Sequence, residues 1–212
     1  MHVCGIDEAG RGPIAGPVTA AAVILAPDRP VEGLADSKTL SPARRAALAR
    51  CIRRDALAWG IGWASHAEID ELNILQATHR AMARAVASME QALRARLQAG
   101  HDATSEPGIR LYRAVVDGLS VPVLPADTTA VVRADATVPE VMAASILAKE
   151  ARDAWMVAYD RIDERYGFAR HKGYPTAEHR QRLTVAGVCP IHRRSFAPVA
   201  AVCRLDAAAE TR

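Results

Sequence analysis

The run Gly5-Ile6-Asp7-Glu8-Ala9-Gly10-Arg11-Gly12-Pro13 constrains this 212-residue chain more than any other segment. A short apolar stretch ends on two adjacent acids and passes at once into a Gly-Arg-Gly-Pro sequence, which reads as a buried strand ending in a tight turn. Neighbouring acids at a strand end repel each other unless a cation neutralises them. The glycines let backbone groups approach a ligand closely, and the arginine offers a fork to phosphate or ribose oxygens. Metal ligands and a nucleic-acid grip therefore lie within a few residues of each other.

The remaining pattern alternates strands with helices and closes on helices. Strands are expected over 2–7, 18–25, 57–64, 111–116 and 129–132. Ser41-Pro42 reads as an N-cap with proline at the first helical position, opening a helix to about residue 54. The longest periodic helix spans 73–97, with Leu75, Met82, Val86 and Met89 on its apolar face. Residues 98–108 read as a loop and surface insertion, 138–166 as a helical segment, 167–175 as a polar loop, and Thr176 as the cap of another helix. The result is an α/β fold, a mixed sheet flanked by helices with a C-terminal helical extension.

Half the residues are apolar, enough for a sizeable core, although only 4% are aromatic. The net charge of +3 does not by itself establish a nucleic-acid partner. Its distribution says more. Residues 165–199 hold seven Lys or Arg, three His and one acid, Glu178, which suits a phosphate-binding surface beside an acidic centre. His171, His179 and His192 read as polar surface residues, and Arg193 and Arg194 either bind phosphate or anchor the terminal segment. The four cysteines, Cys4, Cys51, Cys189 and Cys203, form no Cys-x-x-Cys pair, so reduced thiols in a cytoplasm are expected. No signal peptide or membrane span is evident, and the scarcity of long apolar stretches favours a monomer.

Asp7, Glu8, Asp117 and Asp135 share one setting: each lies at or just beyond the end of an expected strand. If the first and fourth strands are parallel neighbours, their carboxyl ends meet, as ligand sites do in open α/β sheets. All-oxygen ligation selects Mg²⁺ or Mn²⁺ over zinc. A pair of such ions suits phosphodiester hydrolysis.

The opening run resembles the signature of the ribonuclease HII family. Other segments match that family in its order: Asp36-Ser37-Lys38-Thr39-Leu40, Ile69-Asp70-Glu71-Leu72-Asn73-Ile74-Leu75, Val115-Val116-Asp117-Gly118 and Arg133-Ala134-Asp135. Further along come Ala143-Ala144-Ser145-Ile146-Leu147-Ala148-Lys149, His171-Lys172-Gly173-Tyr174-Pro175-Thr176 and His192-Arg193-Arg194-Ser195-Phe196. The resemblance implies a ribonuclease H-like fold with a mixed five-stranded sheet. The chain is expected to form a single catalytic domain over 1–212, with the sheet core at about 1–137, the helical extension at about 138–204 and a frayed tail at 205–212.

The implied activity is metal-dependent hydrolysis of the RNA strand of RNA–DNA hybrids. Incision 5′ of single ribonucleotides embedded in duplex DNA, leaving 3′-hydroxyl and 5′-phosphate ends, and a role in ribonucleotide removal from DNA are implied with it. By position, Asp7, Glu8, Asp117 and Asp135 are the catalytic and metal-binding acids, with two Mg²⁺ or Mn²⁺ ions during catalysis. Gly10-Arg11-Gly12 resembles the segment that senses the 2′-hydroxyl, and Tyr174 the residue that stacks on the downstream deoxyribose. Lys38, Lys149 and Lys172 are candidate phosphate contacts. One rival is a nuclease or strand transferase on the same acidic fold, which has no use for a 2′-hydroxyl sensor. Another is a hybrid-binding protein without catalysis, which does not need four acids.

Overall fold

The pairing of β1 with both neighbours sets the architecture. In the computed structural model, which describes residues 1–99 and 112–210, β1 (His2–Ala9) pairs antiparallel with β2 (Val18–Ile24) and parallel with β4 (Tyr112–Asp117). β3 (Ala58–Ala64) flanks β2, and β5 (Thr128–Val131) runs parallel to β4, giving a five-stranded sheet in the order β3-β2-β1-β4-β5. This is the mixed sheet expected from the sequence. The first and fourth strands are indeed parallel neighbours.

The helices are α1 (Pro42–Asp55), α2 (His66–Leu72), α3 (Ile74–Ala99), α4 (Pro139–Asp160), α5 (Phe168–His171), α6 (Ala177–Ala186) and α7 (Ala197–Glu210). Ser41 caps α1 through a bond from the Arg44 amide, with Pro42 at its start. Thr176 caps α6. Among the described residues no helix is long and apolar enough to cross a membrane.

Two compact units emerge. The first comprises Met1–Ala9, Thr19–Trp63 and His79–Glu150; the second comprises Gly10–Val18, Ala64–Thr78 and Ala151–Arg212. In the first, Val23 of β2, Leu48 and Ile52 of α1, and Ala144, Ile146 and Leu147 of α4 share one core. Gly5 has a specific role there. A Cβ at this position would stand 2.1 Å from the Glu140 carbonyl carbon, so the first turn of α4 lies directly against β1 only because the side chain is absent. Among the described residues of the second unit, one core gathers around Met156, Tyr166, Phe168 and Ile191, and another around Ile14, Leu183 and Val199.

Several expectations are corrected. The helix read over 73–97 is preceded by α2, and Asn73 at φ 73° separates the two. Its side-chain oxygen accepts from the Leu75 and Gln76 amides and restarts the helix. The missed signal was the Ser65–Glu68 capping box. Leu75 is exposed, whereas Met82, Val86 and Met89 are buried as expected. α4 stops at Asp160 rather than continuing to Tyr166, and the polar loop at 167–175 contains α5. Gln98 is helical, and 100–108 of the expected insertion lie outside the described residues.

Candidate active site

In the first unit the strand register does the assembling. Ile6 pairs with Val116, so Asp7 and Asp117 stand side by side one residue further along parallel strands. Asp135 arrives from a single 3-10 turn, Ala134–Ala136, just beyond β5. Asp117 holds that turn itself, its Oδ1 accepting the Ala134 amide at 2.8 Å. Carboxylate oxygens of Asp7, Asp117 and Asp135 all lie within 4.8 Å of one another, and Asp7 and Asp135 are only 5% and 6% exposed. Glu8, next along β1, does not join this trio, but its charge acts on Asp7.

Burial raises the Asp7 carboxyl well above its ordinary range, and the charges of Glu8 and Asp117 push the same way. The Glu8 amide, donating to Asp7 Oδ1 at 2.7 Å, and the Ser145 hydroxyl work against them. Lys38 brings its ammonium to 3.5 Å from Asp135 Oδ2. Partial burial lowers the basicity of Lys38, but the charges of Asp36, Asp135 and Asp7 outweigh it and raise it. Buried, converging, oxygen-only donors with this mutual repulsion fit a hard divalent cation.

The Lys38 loop is fixed from below. Arg45 of α1 donates to the carbonyls of Ser37 at 3.0 Å and Leu40 at 3.3 Å and pairs with Glu150 at 2.8 Å. The Ser37 and Ser145 hydroxyls are 2.7 Å apart. No local sequence signal marked Arg45, because its partners are distant in the chain. Lys149 follows Ser145 by one helical turn, as expected, on α4.

In the second unit the segment after Glu8 is shaped by two buried arginines. Arg193, fully buried, donates all five of its N–H groups to carbonyls: Nε to Gly16 at 2.9 Å, Nη1 to Arg11 at 3.0 Å and Pro13 at 2.6 Å, Nη2 to Gly10 at 2.6 Å and Pro17 at 3.2 Å. Arg152 adds bonds to Pro17, Lys172 and Ala15 at 3.0, 3.0 and 3.1 Å. Burial lowers Arg193 to about 9 and Arg152 to about 10. Arg193 is therefore an anchor, which decides between its two sequence readings. Asp70 of α2 accepts the Arg194 and Ser195 amides at 2.8 Å each and the Ser195 hydroxyl at 2.5 Å.

Gly10, at φ 101°, has no room for a side chain, since a Cβ would sit 2.0 Å from Arg152 Nε. In a trans peptide the carbonyl and the following N–H point in opposite directions. With the Gly10 and Arg11 carbonyls on Arg193, the Arg11 and Gly12 amides point away from it. Tyr174 flanks this segment: its Cε1 lies 3.6 Å from where a Gly12 Cβ would be, and the residue is 42% exposed. The Lys172 ammonium lies on the Ala169 carbonyl.

His171, His179 and His192 are buried, not on the surface as expected. Burial draws His179 and His192 down to about 4 each and lowers His171. Nearby charges come from Glu178, Arg170 and Asp160 around His171 and from Asp163 and Arg165 around His192. Because the folded values lie below the ordinary 6.5, the unfolded chain binds more protons between the two. This contribution to stability is complete above about pH 6.5 and is lost as pH falls towards 4. Each tenfold difference in proton affinity between the folded and unfolded chain is worth about 1.4 kcal/mol. The unfolding free energy from urea melts should fall from pH 7.5 to 4.5, and less steeply in His192→Gln. Equal slopes in the two proteins would contradict neutral, buried rings.

A model of the ribonuclease HII family matches residues 4–199. The chain belongs to the ribonuclease HII family. It is 52% identical over 202 residues to ribonuclease HII of Chromobacterium violaceum, covering 95% of this chain and 93% of the relative. To that of Laribacter hongkongensis it is 55% identical over 200 residues, covering 93% and 92%. Its fold is shared with the crystal structure of ribonuclease H2 from Pyrococcus horikoshii OT3, at a TM-score of 0.69 and 23% identity, covering 97% of this chain and 98% of that one. Membership in the ribonuclease HII family makes this chain a metal-dependent endoribonuclease acting on the RNA strand of RNA–DNA hybrids.

Proposed function

We propose that this ribonuclease HII cuts duplex DNA on the 5′ side of single embedded ribonucleotides, as well as longer hybrids, and serves ribonucleotide removal. The observation that carries this reading is the convergence of Asp7, Asp117 and Asp135 within 4.8 Å, in a chain where Gly10-Arg11-Gly12 follows Glu8 after one residue. Asp7, Asp117 and Asp135, with Glu8 beside them, would hold two Mg²⁺ or Mn²⁺ ions. When bound, such ions activate the attacking water and stabilise the leaving oxyanion, giving 5′-phosphate and 3′-hydroxyl ends.

The protein's own groups supply orientation. Lys38, Lys149 and Lys172 are assigned to substrate phosphates, with Lys38 holding Asp135 until substrate and metal arrive. The Arg11 and Gly12 amides, turned away from Arg193, suit the 2′-hydroxyl that separates RNA from DNA at one nucleotide. The exposed Tyr174 ring beside Gly12 suits stacking on a sugar without a 2′-oxygen. The chain is assigned to work as one catalytic domain and as a monomer. Its four unpaired cysteines support a cytoplasmic setting.

A nicking assay on a DNA duplex with one ribonucleotide, with Mg²⁺ or Mn²⁺, tests the reading. The expected product is a nick 5′ to the ribonucleotide, absent in chelator and absent on all-DNA duplex. Equal cutting of all-DNA duplex would move the assignment to a general nuclease.

A further inference from the structure

The buried histidines form a chain whose proton positions the hydrogen-bond partners dictate. His192 Nδ1 lies 3.0 Å from both the Cys189 amide and the Cys189 thiol; the amide can only donate, so that nitrogen accepts and Nε2 carries the proton. His192 Nε2 lies 3.1 Å from His179 Nε2, which must therefore accept, leaving the proton of His179 on Nδ1. That proton is donated to the Tyr174 carbonyl at 2.9 Å. His171, by the same reasoning, accepts the Gly173 amide on Nδ1 at 3.2 Å and donates from Nε2 to the Tyr166 carbonyl at 2.9 Å.

His171 and His179 stack, with centroids 4.4 Å apart and planes 13° from parallel. Phe168 meets both edge-on, and Tyr166 meets His192 at 4.9 Å. Two stacked imidazoles thus grip consecutive residues, the amide of Gly173 and the carbonyl of Tyr174, while the Gly173 carbonyl accepts the Ile14 amide at 2.9 Å. Burial disfavours the charged form of all three rings, and every ring nitrogen has a partner. Apolar side chains of similar size would fill the space but hold neither backbone group.

We propose that His171 and His179 are positioning residues for Tyr174, with His192 fixing the tautomer of His179, so that the tyrosine ring stands beside Gly12 in the orientation the substrate sugar requires. This rests on the reading that Tyr174 contacts the substrate. It differs from a packing role in one respect. The effect of the histidines on catalysis should pass through the Tyr174 ring.

The test is a double-mutant cycle with kcat/KM on the single-ribonucleotide duplex. His179→Leu should lower kcat/KM about tenfold, the size of one backbone hydrogen bond, and His179→Asn, which keeps a donor near the Nδ1 position, should recover most of it. In a Tyr174→Ala background the further loss from His179→Leu should be less than about twofold. A full, additive loss in that background overturns the positioning role and leaves the Tyr174 reading intact. No effect of Tyr174→Ala alone overturns both. Should His179→Leu fail to fold, long-range ¹⁵N–¹H spectra of the wild-type rings decide. The protons are expected on Nε2 of His171 and His192 and on Nδ1 of His179, and any other pattern overturns the proposal.

Discussion

Asp7→Asn should abolish hybrid cleavage, lowering the rate on the order of a thousandfold or more, while the protein stays folded. Asp7 is the most enclosed acid of the trio and the one on which burial, Glu8 and Asp117 act together. Asparagine keeps its shape and its bond from the Glu8 amide, but removes the charge that would hold a cation. The same change relieves repulsion within the cluster, so metal-free stability should be unchanged or slightly higher. Repulsion towards a phosphate backbone is relieved as well, and binding of uncut hybrid should be retained or tightened. Single-turnover cleavage, hybrid binding and thermal melts measure the three effects. Retention of more than about a tenth of the wild-type rate would remove Asp7 from the reaction.

Arg193→Met should cost about 3 kcal/mol of stability or more, because leaving even one buried acceptor unsatisfied costs about 1–3 kcal/mol. Methionine fills part of the volume but leaves five inward-facing carbonyls, those of Gly10, Arg11, Pro13, Gly16 and Pro17, without this donor. Lysine should rescue little, because an ammonium offers three donors where the guanidinium fork offers five. The loss should appear in urea unfolding, and kcat/KM should fall as well, because the Arg11 and Gly12 amides lose their fixed direction. A stability change below about 1 kcal/mol would show that the five bonds contribute little beyond what water supplies.

The acids were legible because the code for them is local. Asp7-Glu8 before a glycine turn, and acids at the ends of apolar runs, announce strand ends in any fold. Ser41-Pro42 and Thr176 announced their helices in the same way, through a cap that involves the next three residues. The capping box at Ser65–Glu68 carried an equal signal, and it was obscured by the adjoining periodic run at 73–97. Leu75 belongs to that run by spacing, yet the interruption at Asn73 places it on the first turn of a fresh helix, exposed to solvent.

The histidines and arginines show the opposite case. Arg193 and Arg194 are adjacent and chemically alike in sequence. One is fully buried on carbonyls more than 170 positions away, and the other has its amide held by Asp70. His171, His179 and His192 sit among basic and polar residues that favour a surface reading, but each is buried because its nitrogens find backbone or imidazole partners. Sequence alone determined the strand-ending acids, the glycine turn, the family and the succession of most strands and helices along the chain, since these depend on local pattern and ordered motifs. Tertiary structure alone decided which carboxylates converge and which cations and imidazoles are buried. Register across parallel strands and long-range hydrogen bonding set those outcomes, and neither is written in neighbouring residues.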